Sequence, residues 1–150
     1  MIDKSSGIDS LFCRHTRSRE TARISSLTTM IRKLNDKDNK IKKLIESELK
    51  DYEYYKKESE KMLKKYKGEV LEASIMTKTM AKMKLNFDIM KDNSDSKIAD
   101  ILTRGFTMGT IDMNKKIDEY KKSADKNVLK LAKEFLEFQN KNIELLKEYL

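Results

Sequence analysis

Four places in this 150-residue chain put an acid or an amide where a helical pattern calls for an apolar side chain. Glu20 falls in phase with Ile24 and Ile31, and Glu48 with Ile41, Ile45 and Tyr52. Asp112 falls in phase with Ile98, Gly105 and Gly109, while Gln139 and Asn142 sit at the centre of the stripe marked by Phe135. Acids and amides are costly to bury without a partner, so each of these residues needs either a pairing or a task.

One task is metal binding. Carboxylate di-metal bundles take a Glu from each of two helices and a Glu-x-x-His from each of the other two. Glu48-x-x-Asp51 and Gln139-x-x-Asn142 have comparable spacing but contain no histidine, and the one histidine of the chain, His15, lies far upstream. Gln and Asn also lack the negative charge and the imidazole that a hard or borderline cation requires. Register weighs against the site too. With a turn near Asp36, Glu20 and Glu48 are offset by about 6 Å along the helices at ~1.5 Å per residue, whereas paired metals sit only ~3.5–4 Å apart. Glu48 and Asp112 are therefore metal ligands in an alternative reading only. In the plainer reading Glu20, Gln139 and Asn142 are polar core residues. Alternatively Glu20 faces solvent at a frayed helix start; Glu48 pairs with a lysine or a tyrosine hydroxyl, and Asn142 fixes register as polar residues do in coiled coils.

Other chemistries find less material. Outside His15 there is no imidazole to act as a general base, and no phosphate-cradling glycine loop or EF-hand loop occurs. No catalytic residue and no cofactor-binding residue is assigned, and a non-enzymatic role is the expectation. Met76, Met80, Met83 and Met90 form a soft face that suits a partner helix or an apolar ligand, or simply fills the core of a connecting helix. Gly105-x-x-x-Gly109 would let two helices pack closely.

The elements that must position these residues are helices. The chain has no proline and four glycines, which denies an all-β fold the turns it needs every few residues. Ile24, Leu27, Ile31 and Leu34 mark a first helix, and Asn35–Asn39 a turn. A long second helix runs to Gly68, and a shorter third carries the methionines. Ser94 or Asp95 caps a fourth that runs to about Tyr120, and the last carries Val128, Phe135, Phe138 and Leu146. The expected fold class is all-α: a four-helix bundle of two helical hairpins joined by a short crossover helix.

Charge divides the chain. The formal net charge is +8, and five of the six arginines lie in the first 32 residues. Residues 1–19 are therefore expected to be a basic, disordered arm, or sequence upstream of a later start, and residues 20–150 the helical bundle. Arg14, Arg17, Arg19 and Arg23 would serve a second alternative, nonspecific nucleic-acid binding. Tyr52, Tyr54 and Tyr55 could stack bases, but their lysine neighbours alternate with Glu53, Glu58 and Glu60 as on a solvated face, so nucleic acid is disfavoured. A single cysteine, Cys13, allows no disulfide within the chain, and no stretch reaches the ~18 apolar residues of a membrane span. A cytoplasmic location is expected.

The run Asp95-Ser96-Lys97-Ile98-Ala99-Asp100-Ile101-Leu102, followed by Gly105-Phe106-Thr107-Met108-Gly109-Thr110-Ile111-Asp112-Met113, resembles a group of small uncharacterised helical proteins of clostridia-like bacteria. Leu131–Leu136, Asn142–Lys147 and the Met80–Lys84 segment are similar to theirs as well. The resemblance implies a ferritin-like bundle in a bacterial cytoplasm and no assigned activity, with Gly105, Gly109 and Asp112 as group features. The leading expectation is thus a ferritin-like helical bundle that binds a protein partner, a second copy of itself included.

Overall fold

Helix formation begins earlier than the apolar pattern indicates. The computed structural model describes residues 4–65 and 91–150 and is helical throughout, with no strand among the described residues. Its long helices are α1 (Lys4–Lys33), α2 (Lys42–Lys65), α3 (Asp95–Tyr120) and α4 (Lys126–Leu146), followed by a 3-10 turn at Lys147–Tyr149. The expected arm, residues 1–19, and the bundle from residue 20 are not separated by a break. α1 passes through the 19/20 boundary, and Cys13, Thr16 and Arg17 upstream of it are buried. Cys13, Glu20, Leu27 and Leu34 follow one another at seven-residue intervals and are all buried, which is the repeat of a helix packed from Cys13 onward.

Side-chain caps define the later helices. The Ser94 hydroxyl accepts from the Lys97 N–H at 3.2 Å, so of the two candidates Ser94 is the N-cap of α3. Asp125 does the same for α4, accepting from the Asn127 N–H at 2.8 Å. The turn between α1 and α2 is bracketed by Leu34 and Ile41, both fully buried, around the exposed Asn35–Asp38. It is also tied to the start of α3. Asn39 Nδ2 donates to Asp95 Oδ1 at 2.9 Å and to the Asn93 carbonyl at 2.8 Å, and the Lys40 N–H donates to Asp95 Oδ2 at 3.1 Å.

α1 packs most extensively on α2, and α3 on α4, with α2 also touching α4 and α1 meeting α3 more sparsely. The core they enclose takes Leu27 and Met30 from α1, Leu34 from the turn that follows it, and Ile45, Tyr52 and Leu63 from α2. α3 adds Ile98, Leu102, Phe106 and Met113, and α4 adds Val128, Ala132, Phe135, Phe138 and Leu146. No helix among the described residues is long and apolar enough to cross a membrane. Met76, Met80, Met83 and Met90, Gly68 and the expected crossover helix lie outside the described residues.

Candidate functional site: a buried polar line between the helices

The inward stripes of α1 and α2 are apolar near the turn that joins them and polar further along. On α1 the sequence Thr16, Arg17, Glu20 and Thr21 is buried, and on α2 Glu48, Tyr52 and Ser59. Two pairs cross between these helices. Arg17 Nε donates to Glu60 Oε1 at 2.9 Å, and Ser59 Oγ donates to Glu20 Oε1 at 3.0 Å. The second oxygen of Glu20 has no hydrogen-bond partner. Burial pushes the Glu20 carboxyl up to about 8, against the opposing pull of the Ser59 hydrogen bond and the Arg17 charge. Glu48 is more isolated. Neither of its oxygens finds a partner, and burial, reinforced by the Asp51 carboxylate, pushes it up to about 8. Both acids therefore hold a proton at neutral pH.

Tyr52 is the centre of the site. Its ring lies 5.8 Å from Phe106 of α3 and 5.8 Å and 5.1 Å from Phe135 and Phe138 of α4, so one side chain joins three helices. Burial raises its phenol well above the ordinary range, although the Arg23 charge and the nearby Gln139 amide work the other way. The Oε1 of Gln139 has no hydrogen-bond partner. Asn142 does not bond across helices. Its Nδ2 donates to the Phe138 carbonyl at 2.8 Å, one turn back in α4.

Gly105 and Gly109 make room for side chains. A Cβ at Gly105 would collide with the Arg23 guanidinium, and one at Gly109 with the Gln139 amide nitrogen. The expected close approach of helices is here an approach of polar side-chain ends, because α1 and α4 reach over α3 with long residues. Arg23 Nη2 donates to the Gly105 carbonyl at 2.8 Å, which fixes the guanidinium against that glycine. Two cavities meet at Arg23. One is a groove of about 490 Å³ between α1 and α3, and the other a pocket of about 20 Å³ lined by Thr16, Arg23, Gly109, Asp112 and Gln139. The second has room for about one water.

The two expected metal ligands stand in different settings. Asp112 forms an ion pair with Arg19 at the small pocket, whereas the charge that acts on Glu48 is that of Asp51, on its own helix. Among the described residues no group of three His, Cys, Asp or Glu side chains gathers as a cation would require. Of the arginines offered to nucleic acid, Arg17, Arg19 and Arg23 each engage a group on another helix. The side chain of Arg14 lies outside the described residues. Compared with family models, curated proteins and solved structures, the chain matches none of them.

Pattern reading missed Ser59 and the cross-helix pairings of Arg17 and Arg23, because each residue is polar and its partner lies 39 to 82 positions away. The signal for Glu20 and Glu48, their phase with Ile24 and Ile45, was present. A test of the glycine seats follows from the geometry. Gly109→Ala is expected to be near neutral, since a helix-propensity gain of about 1 kcal/mol offsets the displacement of Gln139. Gly109→Leu is expected to lose about 2–3 kcal/mol, because the Gln139 end cannot clear a full side chain from a buried position. Urea unfolding of the two variants measures the difference.

Proposed function

We propose that this chain is a ferritin-like four-helix bundle that acts by association with a protein surface, in the first instance a second copy of itself, and catalyses no reaction. Support for the topology comes from where the helices end. α3 starts beside the α1–α2 turn, through Asp95 and Asn39, while the Arg17–Glu60 and Glu20–Ser59 pairings fit α2 running away from that turn. α2 and α3 then share one sense, as two hairpins joined by a crossover require.

The observation that carries the association reading is an apolar stripe on the outer face of α3. Met108 is 63% exposed and Ile111, less than one turn further on, is 51% exposed. Ile101, partly buried, continues the same face toward the start of the helix, and the seam beside it, between α1 and α3, is more sparsely packed than those of the two hairpins. Adjacent exposed apolar side chains at helical spacing beside an open seam are what a docking face presents. The single Cys13 fits a reducing cytoplasm.

Light scattering on the eluting protein tests the reading. The full chain is expected to give the mass of a dimer or a larger oligomer at about 0.1 mM. Met108→Lys with Ile111→Lys is expected to shift it to monomer, by placing two charges where about 1.5–3 kcal/mol per side chain is available from burial. A wild-type chain that stays strictly monomeric up to about 1 mM overturns the self-association.

A further inference from the structure

The groove between α1 and α3 borders the exposed stripe, since Met108 and Ile101 belong to both, but it runs inward from it and is charged as well as apolar. At about 490 Å³ it falls within the size range of small-molecule pockets. Leu27 and Met30 of α1 and Leu102 and Phe106 of α3 supply apolar wall. Arg23, Lys97 and Arg104 also face it, against one acid, Asp100. Arg104 is already met by that acid within α3, Nε to Asp100 Oδ1 at 3.2 Å. Among the described residues neither Arg23 nor Lys97 has a carboxylate partner.

Arg23 is set in place for a ligand. Its guanidinium rests where a Cβ on residue 105 would stand, and one of its N–H groups is spent on the Gly105 carbonyl. A guanidinium has five N–H donors, so this contact orients the group and leaves others available. A cation held rigidly beside apolar walls, without a counter-charge from the protein, is complementary to an anion that carries an apolar tail. The planar fork of arginine suits a carboxylate in particular, and its fixed position removes part of the ordering cost of binding.

We propose that this groove binds a small aliphatic carboxylate, the carboxylate on Arg23 with Lys97 nearby and the tail along Leu27 and Phe106. The site lies within one chain, so it does not depend on the association proposed above, and a monomeric protein would still bind.

Calorimetric titration of the full chain with octanoate tests this, with 1-octanol as the matched neutral probe. One octanoate per chain is expected, with a Kd on the order of 100 µM. Octanol is expected to bind at least about tenfold more weakly, because it lacks the charge-assisted pair. Arg23→Gln is expected to weaken octanoate about tenfold or more and leave octanol unchanged, with the helical circular dichroism retained. Gly105→Ala keeps the arginine but removes its seat, and it is expected to weaken octanoate severalfold. It guards the test in case Arg23→Gln does not fold. The proposal is overturned if octanoate shows no saturable binding up to about 10 mM, if octanol binds as tightly, or if octanoate binding survives both substitutions unchanged.

Discussion

Glu48→Leu is expected to stabilise the protein, and the gain is expected to grow by about 4 kcal/mol between pH 4.5 and pH 8. In the unfolded chain the Glu48 carboxyl ionises near its ordinary value of 4.5, while in the fold it keeps its proton up to about 8. Between those values unfolding releases a proton, so the wild-type chain loses stability steadily as pH rises through that window. Above pH 8 the carboxyl is ionised in both states and the loss is complete. Leucine at this position has nothing to titrate. It also leaves no orphan behind, because neither carboxyl oxygen of Glu48 has a hydrogen-bond partner to abandon. Even where Glu48 is protonated in both states, about 1 kcal/mol of gain remains from removing an unsatisfied buried hydroxyl.

Glu20 serves as the internal control for this reasoning. Its carboxyl is also pushed up to about 8, so it adds the same slope over the same window. Yet Glu20→Leu would strip the Ser59 hydroxyl of its acceptor and remove the negative charge that faces Arg17. Its gain at pH 8 is therefore expected to be smaller than that of Glu48→Leu. Urea unfolding at pH 4.5, 6 and 8 separates the cases, and for a chain of this length each kcal/mol moves the thermal midpoint by about 2–4 °C. Parallel pH profiles for wild type and Glu48→Leu would show that the Glu48 carboxyl is not desolvated as the fold indicates.

Both acids were visible in the chain as breaks in an apolar period, and so were Gln139 and Asn142. Phase is a local property, and helices α2, α3 and α4 could be placed by it. Partners are another matter. Nothing local tells Asn142 to bond its own helix at Phe138, or Gln139 to reach Tyr52, since both outcomes depend on how α4 is rotated against α2. The spacing of Gly105 and Gly109 was equally plain, but that Arg23 and Gln139 fill the space is decided by side chains from two other helices. α1 shows the limit most clearly. Its inward line continues from Leu34 and Leu27 to Glu20 and Cys13 at the same seven-residue step. A search keyed to large apolar residues stops at Ile24, because upstream of it Arg17 and Glu20 are buried through pairs with α2 and not through hydrophobicity. The partner of Asp112 is likewise distant in sequence, Arg19 of α1.

Tyr52→Ala is expected to destabilise the fold by about 4 kcal/mol, within the range for truncating a large buried aromatic. Tyr52 is almost completely buried, and its ring is stacked on Phe106 and edge-on to Phe135 and Phe138. Each such pair adds about 0.5–1.5 kcal/mol beyond area burial, and here three meet on one residue. The cavity left behind would lie between three helices whose remaining rings cannot close on it without moving backbone, so little of the loss is recovered by collapse. Tyr52→Phe isolates the hydroxyl. It keeps the three ring contacts but removes the buried hydroxyl beside the Gln139 amide, and should cost about 1 kcal/mol. Because Tyr52 also lines both cavities, the alanine variant would join the groove to the small pocket at Arg23, whereas the phenylalanine variant would leave the groove wall in place. Unfolding free energies that rank Ala well below Phe, with near-ultraviolet dichroism lost in the former alone, are the expected result. Equal costs for the two would place the weight on the hydroxyl and show that the aromatic cluster does not hold α2, α3 and α4 together.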